Sequence, residues 1–106
     1  MAFVRTITYT FPYENIGELQ VGTDTWLRLV SAHKLLAQES LGMLDTGVWI
    51  TQNSDTGAVR VVSVTEWSSL EDMQAFASDP DVRLQETAIT RLTTGAPAVE
   101  IYEVIG

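Results

Sequence analysis

The chain of 106 residues has no cysteine and one histidine, His33. Without cysteine there are no disulfides, no thiolate metal sites and no thiol nucleophile. One histidine cannot build an HExxH pair or a His-rich metal cluster. Positive charge is scarce too: 6 Lys and Arg stand against 14 Asp and Glu, a formal net charge of −8. The few cations are scattered, so no basic stripe could follow a phosphate backbone. That argues against nucleic acid as a partner, and against anionic membranes for the same reason. The opening "MAFVRTITYTF" carries neither a charged lead nor a long apolar run. It predicts no signal peptide and no membrane span, so a cytoplasmic protein is the expectation. No glycine-rich phosphate loop and no nucleophile elbow are recognisable.

What is present reads as one domain over residues 1–106, with 45% hydrophobic and 19% charged residues. Residues 3–11, "FVRTITYTF", alternate and are β-branched or aromatic, as in a strand. Pro12 ends it, and residues 12–22 form a loop able to act as a flap over a site. Thr23 or Asp24 caps a helix running to about Ser40, with Gly42 as its stop. "MLDTGVWITQ" (43–52) and "AVRVVSVTEW" (58–67) form a β-hairpin across "NSDTG". Ser68 and Glu71 form a capping box for a helix to Ser78. Asp79 and Pro80 restart that helix, which runs to Thr94 and stops at Gly95. A strand over 97–105 closes the chain. The order β-α-β-β-α-β, with its second helix broken, predicts an α+β, ferredoxin-like split βαβ fold: an antiparallel sheet with helices on one face.

Opposing Gln52 to Ala58 sorts the hairpin into two faces. Leu44, Val48, Ile50, Val62 and Val64 make an aliphatic face. Gly47, Trp49, Val61, Ser63, Thr65 and Trp67 make the other. A bare aliphatic sheet face needs a partner, so a homodimer is expected through it. The mixed face then lies under the helices. On the first helix Trp26, Val30, His33 and Ala37 share one stripe, directing His33 at Ser63, Thr65 and the indoles.

The plain reading of His33 is a core histidine with one internal hydrogen bond, and of the indoles, core filling. The functional reading makes His33 the catalytic base, kept neutral by apolar neighbours, with Trp26, Trp49, Trp67, Ser63 and Thr65 as the wall of a substrate pocket.

The stretches "TEWSSLEDMQAFASDPDV" and "ESLGMLDTGV" resemble the segments that mark antibiotic biosynthesis monooxygenase domains. There a strand ends in Glu-Trp or Glu-x-Trp, a Ser/Asp-rich cap starts a helix, and an "SDP"-like cap starts the next. The resemblance implies a dimeric α+β barrel with a small-molecule pocket between sheet and helices. It also implies oxidation of aromatic molecules by oxygen with no cofactor, metal or flavin. Trp67 falls on the tryptophan that ends the third strand. The histidine many members carry on the following helix is replaced by Ala75 and Phe76, which adds Phe76 to the pocket wall. Phe76 and Glu86 stand where the haem-degrading branch needs Trp and His, so haem degradation is disfavoured.

The function expected is therefore a cofactor-independent monooxygenase of a small aromatic phenol, quinol or polyketide-like molecule. Two alternatives stand beside it: a polyketide cyclase or isomerase, and a non-enzymatic, ligand-binding or stress-related dimeric barrel.

Overall fold

The computed structural model describes residues 2–12, 32–33, 35–51 and 58–106. Strand β1 spans Phe3–Phe11. Its β-branched and aromatic residues suit a pleated, half-buried surface. Residues 32–33 and 35–38 are helical and are the described part of α1. Strands β2 (Met43–Thr51) and β3 (Val59–Trp67) follow. Two helices come next, α2 (Leu70–Ser78) and α3 (Pro80–Thr90), then β4 (Ala98–Glu103). The sheet is antiparallel in the order β2-β3-β1-β4. This is the α+β, ferredoxin-like arrangement the element order predicts. Trp26, the 13–22 part of the expected flap loop and the hairpin turn lie outside the described residues.

The caps explain the broken second helix. The Oγ of Ser69, not of Ser68, accepts from the backbone N–H of Asp72, so the cap lies one residue later than expected. Asp79 then accepts from the N–H groups of Asp81 and Val82, and Pro80 opens α3. Proline at that position loses no helical bond, because its missing N–H would have been unpaired anyway. Helix α3 ends at Thr90, four residues short of expectation. Gly95 comes after it with φ +78. The chain turns back onto β1 beyond the helix end, with Thr94 N–H donating to the Thr10 carbonyl at 2.8 Å.

The hairpin register departs from expectation, with consequences for the site. Met43 pairs with Trp67 as expected, but Asp45 pairs with Glu66, so Leu44 bulges out. From there on the partners shift by one: Val48 meets Ser63, Trp49 meets Val62 and Ile50 meets Val61. A one-residue slip turns every following side chain to the other face. Val48 and Ile50 consequently pack beneath the helices against Ile7, Tyr9, Phe11, Val59, Val61 and Ile89. Trp49 goes to the open face and is 62% exposed. Two aliphatic side chains are half-buried in exchange for one indole left out.

The second core cluster holds Ala37, Trp67, Met73, Phe76 and Val82. It ties α1, α2 and α3 to the end of β3. Gly42, with φ +81, makes the close approach there: its carbonyl accepts from Ser68 N–H at 2.8 Å. A side chain on Gly42 would run into Asp72 of α2.

Candidate active site

Along β1, Arg5, Ile7, Tyr9 and Phe11 all face the helices and are buried. The period of two that hides three apolar side chains hides a guanidinium with them. On α3 the inward stripe is Val82, Glu86 and Ile89, again one ion between two aliphatics. The two ions meet. Arg5 Nη1 lies 2.9 Å from Glu86 Oε2 and Nη2 lies 3.2 Å from Oε1, a two-pronged pair. His33 of α1 completes the cluster, its Nε2 being 3.0 Å from Glu86 Oε2. Three elements distant in sequence converge on one carboxylate.

Burial works to raise the proton affinity of Glu86. The hydrogen bonds from His33 and Arg5, with the charge of Arg5, outweigh it and hold the carboxyl below the ordinary carboxylate range. Tyr9 shows the opposite balance. Burial above all, then the negative charge of Glu86, pushes its phenol well above the ordinary value, with Arg5 opposing. The Tyr9 hydroxyl is buried and has no hydrogen-bond partner among the described residues. A phenol that keeps its proton can donate to an oxygen brought beside it.

The aromatic residues lie on the other side of His33. Its ring meets Phe76 edge-on with centroids 5.6 Å apart, and Phe76 lies against Trp67 at 4.9 Å. Trp67 Nε1 donates to Thr65 Oγ1 at 2.8 Å, and Thr65 in turn reaches the Arg5 carbonyl at 3.4 Å. His33, Thr65, Trp67 and Phe76 thus form one connected group. Ser63 shares their sheet face, between Ile7 on β1 and Val48 on β2. The slipped register separates Trp49 from them. His33 is not surrounded by apolar groups alone, as expected, because Glu86 faces it.

Arg5, Tyr9 and Glu86 were not singled out from the sequence. A signal existed for Arg5, a charge at an inward position of an alternating strand, and for Glu86, between Val82 and Ile89 on a helical stripe. Among the described residues, no group of three His, Cys, Asp or Glu could hold a metal ion. No described helix is long and apolar enough to cross a membrane.

The open face differs. Two clefts flank Trp49, of about 360 Å³ beside Val4, Gly47 and Val64, and about 370 Å³ beside Thr6, Val62 and Tyr102.

No family model and no curated protein matches the sequence. Solved structures do match the fold. One is a candidate antibiotic biosynthesis monooxygenase from Deinococcus radiodurans, with TM-score 0.72, 15% identity and coverage of 100% of this chain and 94% of that one. Another is the monooxygenase of the ActVA-Orf6 gene of Streptomyces coelicolor in complex with nanaomycin D. It gives 0.68, 19%, 99% and 88% in the same terms. The third is SnoaB, a cofactor-independent oxygenase from Streptomyces nogalater, at 0.65, 10%, 99% and 93%.

The chain has the antibiotic biosynthesis monooxygenase fold.

At these identities the likeness concerns backbone architecture. The antibiotic biosynthesis monooxygenase fold sets where α1, α2 and α3 cross the sheet. The cluster of Arg5, His33 and Glu86 is read from this chain's own residues.

Proposed function

We propose that this protein is a cofactor-independent monooxygenase acting on a small aromatic phenol, quinol or polyketide-like molecule, working as a cytoplasmic homodimer of single-domain chains. The observation that carries this reading is the lone imidazole, His33, held by a carboxylate on one side and edged by an aromatic ring on the other. Two proteins sharing the fold, named an oxygenase and a monooxygenase, support the choice of reaction.

His33 removes the phenolic proton of the substrate, acting as general base. The phenolate then passes one electron to molecular oxygen, and the radical pair recombines into a C–O bond. The hydroperoxide so formed collapses to a quinone and water, so one phenol and one O2 give one quinone and one H2O. Phe76, edge-on to His33, supplies the apolar contact for the ring, with Trp67 buried behind it as its support and Ser63 and Thr65 as nearby hydroxyls. The Tyr9 phenol is a donor suited to a substrate oxygen.

Oxygen uptake with polycyclic phenols and hydroquinones, without added metal or flavin, tests this directly. The wild type should consume oxygen, and His33→Asn should fold yet lose turnover by ~10²-fold or more, as loss of a general base does. Full activity in that variant sinks the mechanism. Ring closure of an offered polyketide with no oxygen uptake would instead mark a cyclase or isomerase.

The complete burial of Trp67 favours a second reading, a non-enzymatic dimeric barrel with a filled centre. A ligand that binds and is released unchanged would mark it.

The homodimer is proposed through the open face, where Trp49, Val62, Val64 and Tyr102 adjoin the two clefts. Val64→Asp would place an unpaired carboxylate in that interface and should give monomers by sedimentation. A dimer that tolerates the change would put the interface elsewhere.

A further inference from the structure

The Arg5–Glu86–His33 cluster contains more information than an ion pair needs. Arginine does not lose its proton in proteins, and its fork occupies both oxygens of Glu86, which requires the carboxylate to be ionised. An ionised carboxylate only accepts hydrogen bonds. Its contact with His33 is at Nε2, so that nitrogen must carry the proton. Arg5 already balances the charge of Glu86, and a neutral imidazole keeps the buried cluster at zero net charge.

We propose that Glu86, clamped by Arg5, is a positioning residue: it fixes His33 as the tautomer protonated on Nε2 and leaves the Nδ1 lone pair as the proton acceptor. Glu86 need not touch substrate to do this. It holds the ring in one orientation through Oε2, while the fork from Arg5 stops the carboxylate from swinging away. The base then has one defined basic atom, aimed away from Glu86. The proposal rests on the reading of His33 as the base, and is tested without any substrate.

The chain has one histidine, so protein labelled with 15N-histidine gives a single imidazole spectrum. Long-range 1H–15N correlations at pH 7 on the resting protein should show a protonated, pyrrole-type Nε2 and an unprotonated, pyridine-type Nδ1. A proton on Nδ1, a rapidly averaged mixture, or protons on both nitrogens would each overturn the proposal. In Glu86→Gln the amide can donate to or accept from Nε2, so the fixed tautomer should give way to a mixture. An unchanged Nε2–H signal in a folded Glu86→Gln variant would show that something other than the carboxylate sets it. Should that variant not fold, the wild-type spectrum still decides. The Nε2–H tautomer in a protein whose His33→Asn variant keeps full turnover would remove the base role alone. The wrong tautomer with turnover that depends on His33 would remove the positioning role alone.

Discussion

On the helix side of the sheet Arg5, Ile7, Tyr9, Phe11, Val61, Thr65 and Trp67 are all buried. On the other side Trp49 and Tyr102 stand 62% and 49% exposed, and Val62 and Val64 line the clefts beside them. Strand β3 supplies residues to both sets, because alternate residues of a strand point opposite ways. The difference lies in what each side must satisfy. On the helix side every charge needs a partner, and Arg5, Glu86 and His33 provide one another's. On the open side charged residues such as Glu66 and Glu100 rim the clefts, and the apolar surface awaits a cover. Substitutions on the helix side should therefore cost folding stability, and those on the open side should cost assembly.

The two tryptophans test that contrast most sharply. Trp67 is fully buried, packed at a tilt against Phe76 and hydrogen-bonded to Thr65. Trp67→Ala should destabilise the fold by about 3–5 kcal/mol, the usual range for deleting a large aromatic from a core. Trp49→Ala should cost less than about 0.5 kcal/mol in the monomer, as surface changes do. Urea unfolding of the two variants, at a concentration below dimer formation, checks the pair. Similar losses for both would mean that the faces are less distinct than they look.

Removing one member of the buried ion cluster comes next. Among the described residues, Arg5→Ala leaves the Glu86 carboxylate with only His33 beside it, in a site where the Glu86 side chain is 18% exposed. Such an orphaned charge costs about 3 kcal/mol, the lower end of the range for buried pairs, because some water reaches it. The double variant Arg5→Met with Glu86→Leu should recover most of that loss, since no charge is left unpaired. Failure to recover would show that the cluster contributes to the fold beyond its own pairing.

The faces of β3 were legible in the sequence, with Val62 and Val64 on one side and Ser63, Thr65 and Trp67 on the other. Those of β2 were not. Its pattern after Leu44 is self-consistent in either register, and the bulge exists only in relation to β3. The helix boundary at Asp79 and Pro80 was legible because its signals are local, a cap followed by proline. The site was legible in part. His33 stood out by its rarity and its helical stripe, and Thr65 and Trp67 by their shared strand face. The partners of His33 did not, because Glu86 lies 53 residues from it and 81 from Arg5. Nothing local tells a buried, paired glutamate from a solvated one.

A smaller effect is expected where β2 meets α2. Gly42 has φ +81, and an added Cβ would stand 2.7 Å from Asp72 Cβ. The left-handed backbone alone costs a residue with a side chain about 1–2 kcal/mol, and the clash adds to that. Gly42→Ala should lower the unfolding midpoint accordingly. Asp72→Ala should not rescue it, because alanine keeps the Cβ that collides. Full rescue would place the conflict at the carboxylate rather than at the backbone approach.

The smallest effect is a slope rather than a loss, and it isolates Glu86. Burial raises its proton affinity, but the hydrogen bonds of His33 and Arg5 and the charge of Arg5 win, leaving it below the ordinary value of 4.5. Above that value both folded and unfolded chains carry the ionised carboxylate, so its contribution is complete and independent of pH. As pH falls below 4.5 the unfolded chain binds the proton first. Stability drops, and the loss levels off only once pH passes below the folded value. The other acidic side chains contribute to the same acid limb, but they do so equally in Glu86→Gln. The stability difference between wild type and Glu86→Gln should hence shrink as pH falls through the ordinary carboxylate value of 4.5. Urea titrations of both proteins at each pH measure that difference. If it stays constant into acid, the carboxyl of Glu86 titrates alike in the folded and unfolded chains, and the pull of Arg5 and His33 is no more than the burial it opposes.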